Sequence, residues 1–132
     1  MADTISPIPW PDPVTTERQV ATIESLAHRM QTPCGDGSIV WHIWGDDATG
    51  SPVVLLHGGS GSWTHWVRNI GALVQSGRRV LVPDMPGFGD SAAPPDGQDA
   101  DVLPRWIDLG LSRLIGDSRC DLVGFSFGGL AA

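Results

Sequence analysis

The stretch that decides how this chain reads is Asp121-Leu122-Val123-Gly124-Phe125-Ser126-Phe127-Gly128-Gly129 (DLVGFSFGG). Residues 124–128 fit the pattern G-x-S-x-G. In a chain with 17 glycines that pattern alone is a weak signal, so its surroundings carry the argument. It follows a short apolar run of strand character, Cys120 to Val123, and precedes a small-residue helix start, Phe127 to Ala132. Strand, sharp turn and helix are what a nucleophilic serine requires, because its hydroxyl must project from a tight bend above the sheet. Gly124 and Gly128 leave room for the bend and for close strand–helix packing. The helix start would turn unsatisfied amides toward a developing oxyanion. Ser126 is therefore the candidate nucleophile.

Working upstream, Pro52 to His57 (PVVLLH) is apolar without alternation, as in a strand buried on both faces. His57-Gly58-Gly59-Ser60-Gly61-Ser62 follows. Glycines let a backbone approach a substrate carbonyl, so the amides of Gly59 and Phe127 are the candidate oxyanion donors, with Ser60 second to Gly59. His57, at a strand end beside the glycines, reads as a structural ring that fixes the loop rather than as a base. A phosphate-binding loop is set aside because neither G-x-G-x-x-G nor the Walker lysine is present. Trp63, Trp66 and Phe125 fall near the expected mouth. Trp63 and Phe125 are candidate substrate-binding residues, with core packing as the plainer alternative.

The remaining elements alternate. His65 to Gln75 carries apolar residues at helical spacing, closed by Gly77. Val80 to Val82 is a second buried strand, followed by a loop rich in Gly, Pro and Asp, Met85 to Gln98. Asp101 to Ile115 is helical, and Cys120 to Val123 is the third buried strand. Before this region, residues 15–23 suggest a short helix. Glu24 to Thr32 and Ser38 to Trp44 read as two strands joined at Pro33-Cys34-Gly35-Asp36-Gly37. Residues 1–14, with Pro7, Pro9, Pro11 and Pro13, form a proline-spaced extended arm. Residues 15–132 then make one α/β domain with a mostly parallel sheet flanked by helices.

Composition narrows the function classes. A chain of 132 residues with 41% hydrophobic and 17% charged residues is one domain with a real core. A net charge of −7 argues against nucleic-acid or anionic-membrane partners. No apolar run reaches spanning length, and the N-terminus lacks the pattern of a signal peptide, so a cytoplasmic location is expected. Cys34, in the turn, and Cys120 are expected to be unpaired thiols. His28, His42, His57 and His65 have no zinc-ligand spacing, and neither metal nor cofactor is expected.

Three segments together resemble the α/β-hydrolase superfamily, in its branch of lid-bearing esterases and carbon–carbon bond hydrolases: VVLLHGGSGSW (53–63), VLVPDMPGFGDS (80–91) and DLVGFSFGG (121–129). The resemblance implies an eight-stranded, mostly parallel sheet in the order 1-2-4-3-5-6-7-8, of which this chain supplies the first five strands. The chain is thus expected to be the N-terminal half of the fold, ending just after the nucleophile elbow. Asp84 then looks like a carboxylate bracing a structural loop beside the site, not the triad acid. The triad order serine, acid, histidine places both partners of Ser126 beyond Ala132, so the chain by itself is expected to be inactive. Serine at the elbow, where related epoxide hydrolases and haloalkane dehalogenases carry aspartate, implies acyl chemistry on a small molecule. Esters come first, with thioesters, lactones, amides and carbon–carbon cleavage behind. The alternative is a non-catalytic hydrolase-like module that binds a small molecule or a partner. A dinucleotide-binding domain fails for want of the glycine fingerprint.

Overall fold

The computed structural model describes residues 17–97 and 101–131, so the arm expected over residues 1–14 lies outside the described residues. The chain opens with α1 (Glu17–Ser25), followed by the hairpin β1 (His28–Cys34) and β2 (Gly37–Trp44) and by β3 (Val53–Leu56). A 3-10 turn over Trp63–Trp66 leads into α2 (Val67–Gln75), then β4 (Val80–Pro83) and α3 (Leu103–Ile115). β5 (Asp121–Gly124) and α4 (Phe127–Ala131) complete the described chain.

The strands form one mixed sheet in the order β1-β2-β4-β3-β5, the order the resemblance implies for the first five strands. β1 pairs antiparallel with β2 and β2 antiparallel with β4, whereas β3 runs parallel to both β4 and β5. Alternation along the buried strands splits the core between two faces. Val54, Leu56 and Leu81 join Trp41, Ile43 and Met85 under Leu103 and Ile107 of α3. Val53, Leu55, Val80 and Val82 join Trp44, Trp63, Ile23 of α1 and Ile70 of α2 on the other face. This two-sided covering explains why β3 and β4 are apolar at every position.

Local departures from the sequence reading have tertiary causes. The first strand begins at His28 instead of Glu24, because α1 continues to Ser25. Ile23 is buried in the core and accepts a hydrogen bond from Trp44 Nε1 at 2.9 Å, which holds residues 23–25 in the helix. The hairpin turn is tighter than expected: Cys34 already pairs with Gly37, and Gly35 alone takes positive φ (60°). Cys34 therefore ends β1 as a buried core residue instead of sitting in the turn. Burial pushes its thiol pKa up, and both cysteines are free. α3 lies tight on the hairpin, since a Cβ at Gly110 would fall 2.6 Å from Thr32 Oγ1 and 2.9 Å from the Trp41 ring.

β5 has the composition of a buried strand, central in the eight-stranded sheet the resemblance implies. With only five strands among the described residues it is, as expected, an exposed apolar edge. Its four residues are all exposed, Leu122 at 46% and Val123 at 41%. Among the described residues it pairs with β3 alone, so it lies at the edge of the sheet with apolar side chains exposed.

Candidate functional site

The turn from β5 into α4 places Ser126 at φ 55°, in the left-handed region that a side chain seldom adopts. Such a conformation costs on the order of 1–3 kcal/mol and survives only where neighbours over-determine it. Phe125 donates its amide to Leu56 O at 3.0 Å, fastening the turn to β3. Gly128 donates to Phe125 O at 3.0 Å and Gly129 to Ser126 O at 2.9 Å. A Cβ at Gly124 would lie 2.6 Å from Gly129 N, and one at Gly128 would lie 2.2 Å from Leu56 O and 2.6 Å from His57 O. Both flanking glycines are thus required by backbone packed against backbone.

The glycine loop after β3 lies over this turn. A Cβ at Gly58 would touch the Phe125 ring at 3.0 Å, and one at Gly59 would find Phe127 Cβ nearest, at 3.7 Å. Gly59, Ser126 and Phe127 are thereby brought to one place, the arrangement an oxyanion site needs. Phe127 opens α4, so its amide has no acceptor within its own helix. Ser60 also has positive φ (61°).

His57 is fully buried at the base of the loop. Its Nδ1 bonds Gly58 O at 2.7 Å, and its Nε2 accepts from the Met85 amide at 2.8 Å. An acceptor at Nε2 puts the proton on Nδ1, so both nitrogens are committed. Burial holds its pKa below the ordinary imidazole value, only partly offset by the bond to Gly58 and the Asp84 charge.

Asp84 sits between two loops. Its Oδ1 accepts from the Trp63 amide at 2.9 Å and its Oδ2 from the Asp90 amide at 3.0 Å. Its carbonyl accepts from Ser91 Oγ, which in turn accepts from the Val40 amide. Gly89, at φ 51°, carries no Cβ where one would strike the Asp84 carboxylate at 2.5 Å. Every acceptor of this carboxylate named here is spent on backbone.

Trp63 does not line a cleft. It is 5% exposed, and its ring packs on His42 at 5.0 Å and Trp44 at 5.6 Å in the core. Its burial in the core removes it from the substrate-binding candidates. Phe125, 59% exposed, does reach an open cleft of about 330 Å³ with His65, Trp66 and Asn69. His65 and Asn69 were not singled out from sequence. Their i, i+4 spacing just after the glycine loop is the signal that points to them. Among the described residues no cluster of three or more His, Cys, Asp or Glu could hold a metal, and no helix is long and apolar enough to cross a membrane.

Comparison with known proteins agrees with this geometry. Residues 51–132 match the family model described as the alpha/beta hydrolase fold. The chain is 37% identical over 90 residues to a 2-hydroxy-6-oxo-6-phenylhexa-2,4-dienoate hydrolase of Burkholderia cepacia, covering 66% of this chain and 32% of that protein. It is 40% identical over 90 residues to a 2-hydroxymuconate semialdehyde hydrolase of Pseudomonas sp. (strain CF600), covering 64% and 30%. Among solved structures, Epoxide Hydrolase A from Mycobacterium thermoresistibile superposes with a TM-score of 0.68 at 28% identity, over 80% of this chain and 33% of that one. The chain spans about a third of the length of these relatives. With a family model covering the whole run from β3 to α4, and the sheet order and strained serine turn in place, the chain belongs to the α/β-hydrolase fold family.

Proposed function

We propose that this chain supplies the nucleophile and oxyanion donors of a serine hydrolase that acts on carboxylic esters or related acyl substrates through an acyl-enzyme on Ser126. The observation that carries the reading is a non-glycine residue at φ 55° between β5 and α4, flanked by two glycines that the backbone requires. In this reading Ser126 Oγ attacks the substrate carbonyl carbon while a base takes its proton. The tetrahedral oxyanion is held by the amides of Gly59 and Phe127. Collapse expels the alcohol, and attack by water on the acyl-enzyme releases the acid and frees Ser126. His57 is not the base we assign, since both its nitrogens are occupied. The triad acid and histidine are assigned to the two thirds of the relatives' length that this chain does not span, so the chain alone is inactive in this proposal.

A second reading is favoured by the names of the relatives, which hydrolyse oxo-dienoates or a muconate semialdehyde. The same serine would attack a ketone carbonyl and a carbon–carbon bond would break in place of an ester bond. Serine at the elbow, where aspartate is expected in epoxide hydrolases, sets epoxide opening behind both.

The test is labelling of the full-length protein with a fluorophosphonate probe, followed by turnover of ester and oxo-dienoate substrates. Labelling at Ser126, abolished in Ser126→Ala, is the expected result. An intact protein whose Ser126 takes no label would favour a non-catalytic binding module. Esterase turnover by the 132-residue chain alone, abolished in Ser126→Ala, would overturn the assignment of the base to the rest of the protein.

A further inference from the structure

We propose that His57 and His65 together clamp the Gly58 backbone, and that His65 is a positioning residue for the oxyanion donor Gly59. The proposal rests on the reading of Gly59 given above and assigns a role to a second histidine.

Gly58 is held from both sides by imidazole. Its carbonyl accepts from His57 Nδ1 at 2.7 Å, and its amide donates to His65 Nδ1 at 3.2 Å. The bonds fix two different peptide planes: the carbonyl belongs to the plane that carries the Gly59 N–H, the amide to the plane shared with His57. A glycine has two freely turning dihedrals, and holding the planes on either side of its Cα removes both freedoms. In a trans peptide the N–H points opposite to the carbonyl. Anchoring Gly58 O on the buried ring of His57 therefore turns the Gly59 N–H the other way.

The tautomers follow from the partners. His57 receives the Met85 amide at Nε2 and so carries its proton on Nδ1, as the bond to Gly58 O requires. His65 accepts at Nδ1 and so carries its proton on Nε2.

His65 is an exposed residue that is nonetheless pinned. Its ring covers Gly61, where a Cβ would fall 2.2 Å from Cε1. It meets His57 edge-on at 5.9 Å and Phe125 edge-on at 6.0 Å. It thus ties the glycine loop to the residue just before the nucleophile. A side chain serving only as surface would gain nothing from giving up its rotamers in this way.

The experiment compares two variants of the full-length protein. His65→Phe keeps a ring against Gly61 and Phe125 and loses the acceptor. His65→Asn restores an oxygen acceptor near the position of Nδ1. The expected result is a fall in kcat of up to roughly 100-fold in His65→Phe with KM nearly unchanged, largely recovered in His65→Asn. By NMR, the Gly58 amide proton should shift and exchange faster in His65→Phe, and wild-type His65 should show the Nε2–H tautomer. Equal loss of kcat in both variants, or an unchanged Gly58 amide in His65→Phe, would overturn the clamp. A wild-type Ser126 that takes no fluorophosphonate would instead sink the functional reading, and with it the catalytic consequence of the clamp.

Discussion

Gly128 sits so close to Leu56 that a Cβ on it would lie 2.2 Å from the Leu56 carbonyl oxygen. The first turn of α4 thus rests directly on the end of β3, and this contact sets how far Ser126 stands above the sheet. Gly128→Ala should push α4 away, lower stability by about 1–3 kcal/mol and abolish fluorophosphonate labelling. Gly59→Ala has an open neighbourhood, its nearest contact 3.7 Å away. It should leave the unfolding free energy, read from urea denaturation, within about 0.5 kcal/mol of wild type. Equal destabilisation by the two would disprove the asymmetry.

Relief of strain at the turn gives an opposite sign. Ser126→Gly removes the side chain from a backbone at φ 55°. It should raise stability by about 1 kcal/mol while removing all labelling. Ser126→Ala keeps a Cβ in the same conformation, so it should lose labelling without the gain. Urea unfolding of the three proteins side by side decides it.

Asp84 carries a structural prediction. Its carboxylate receives the Trp63 and Asp90 amides, tying the loop after β3 to the loop after β4. Asp84→Asn can satisfy one amide with its oxygen and presents an N–H to the other. The cost should be about 1.5–3 kcal/mol, read as a lower urea midpoint. Residual labelling of Ser126 below the melting temperature would agree with a brace rather than a member of the triad.

Two buried histidines predict how stability depends on pH. Burial lowers the pKa of both His42 and His57 from the ordinary value. The unfolded chain therefore takes up protons near pH 6.5 while the folded chain does not. Stability is full above that pH and falls as the pH drops toward the folded-state values. Neither ring nitrogen of His42 makes a side-chain hydrogen bond, and the Asp84 and Glu24 charges, the latter 3.9 Å away, only partly offset its burial. His42→Leu should flatten the decline between pH 7.5 and 5.5. An unchanged slope in that variant would assign the dependence elsewhere.

How far the sequence could be read depended on the range of the forces involved. The apolar runs Val53–Leu56 and Val80–Val82 announce strands covered on both faces, and the structure buries every one of these residues. The glycines around Ser126 announce a tight turn because only missing side chains allow backbone to meet backbone. Such information is local. The start of the first strand is not local information: residues 23–25 stay in α1, where the Trp44 indole, 21 residues away, bonds the Ile23 carbonyl.

The amino-acid sequence by itself determined the alternation of strands and helices, the serine turn and the glycine loop, since each follows from apolar periodicity or from the steric freedom of glycine. Only the tertiary structure decided what Trp63 and His65 do. Trp63 is buried against His42 and Trp44 while its amide is held by a carboxylate 21 residues later, and the His65 ring is drawn onto the glycine loop by the Gly58 amide. The bond to Trp63 forms only once β3 and β4 are paired and the loops after them meet, and no pattern along the chain encodes that distance. The bond to His65 spans seven residues, but apolar periodicity carries no information about which polar partner a ring takes.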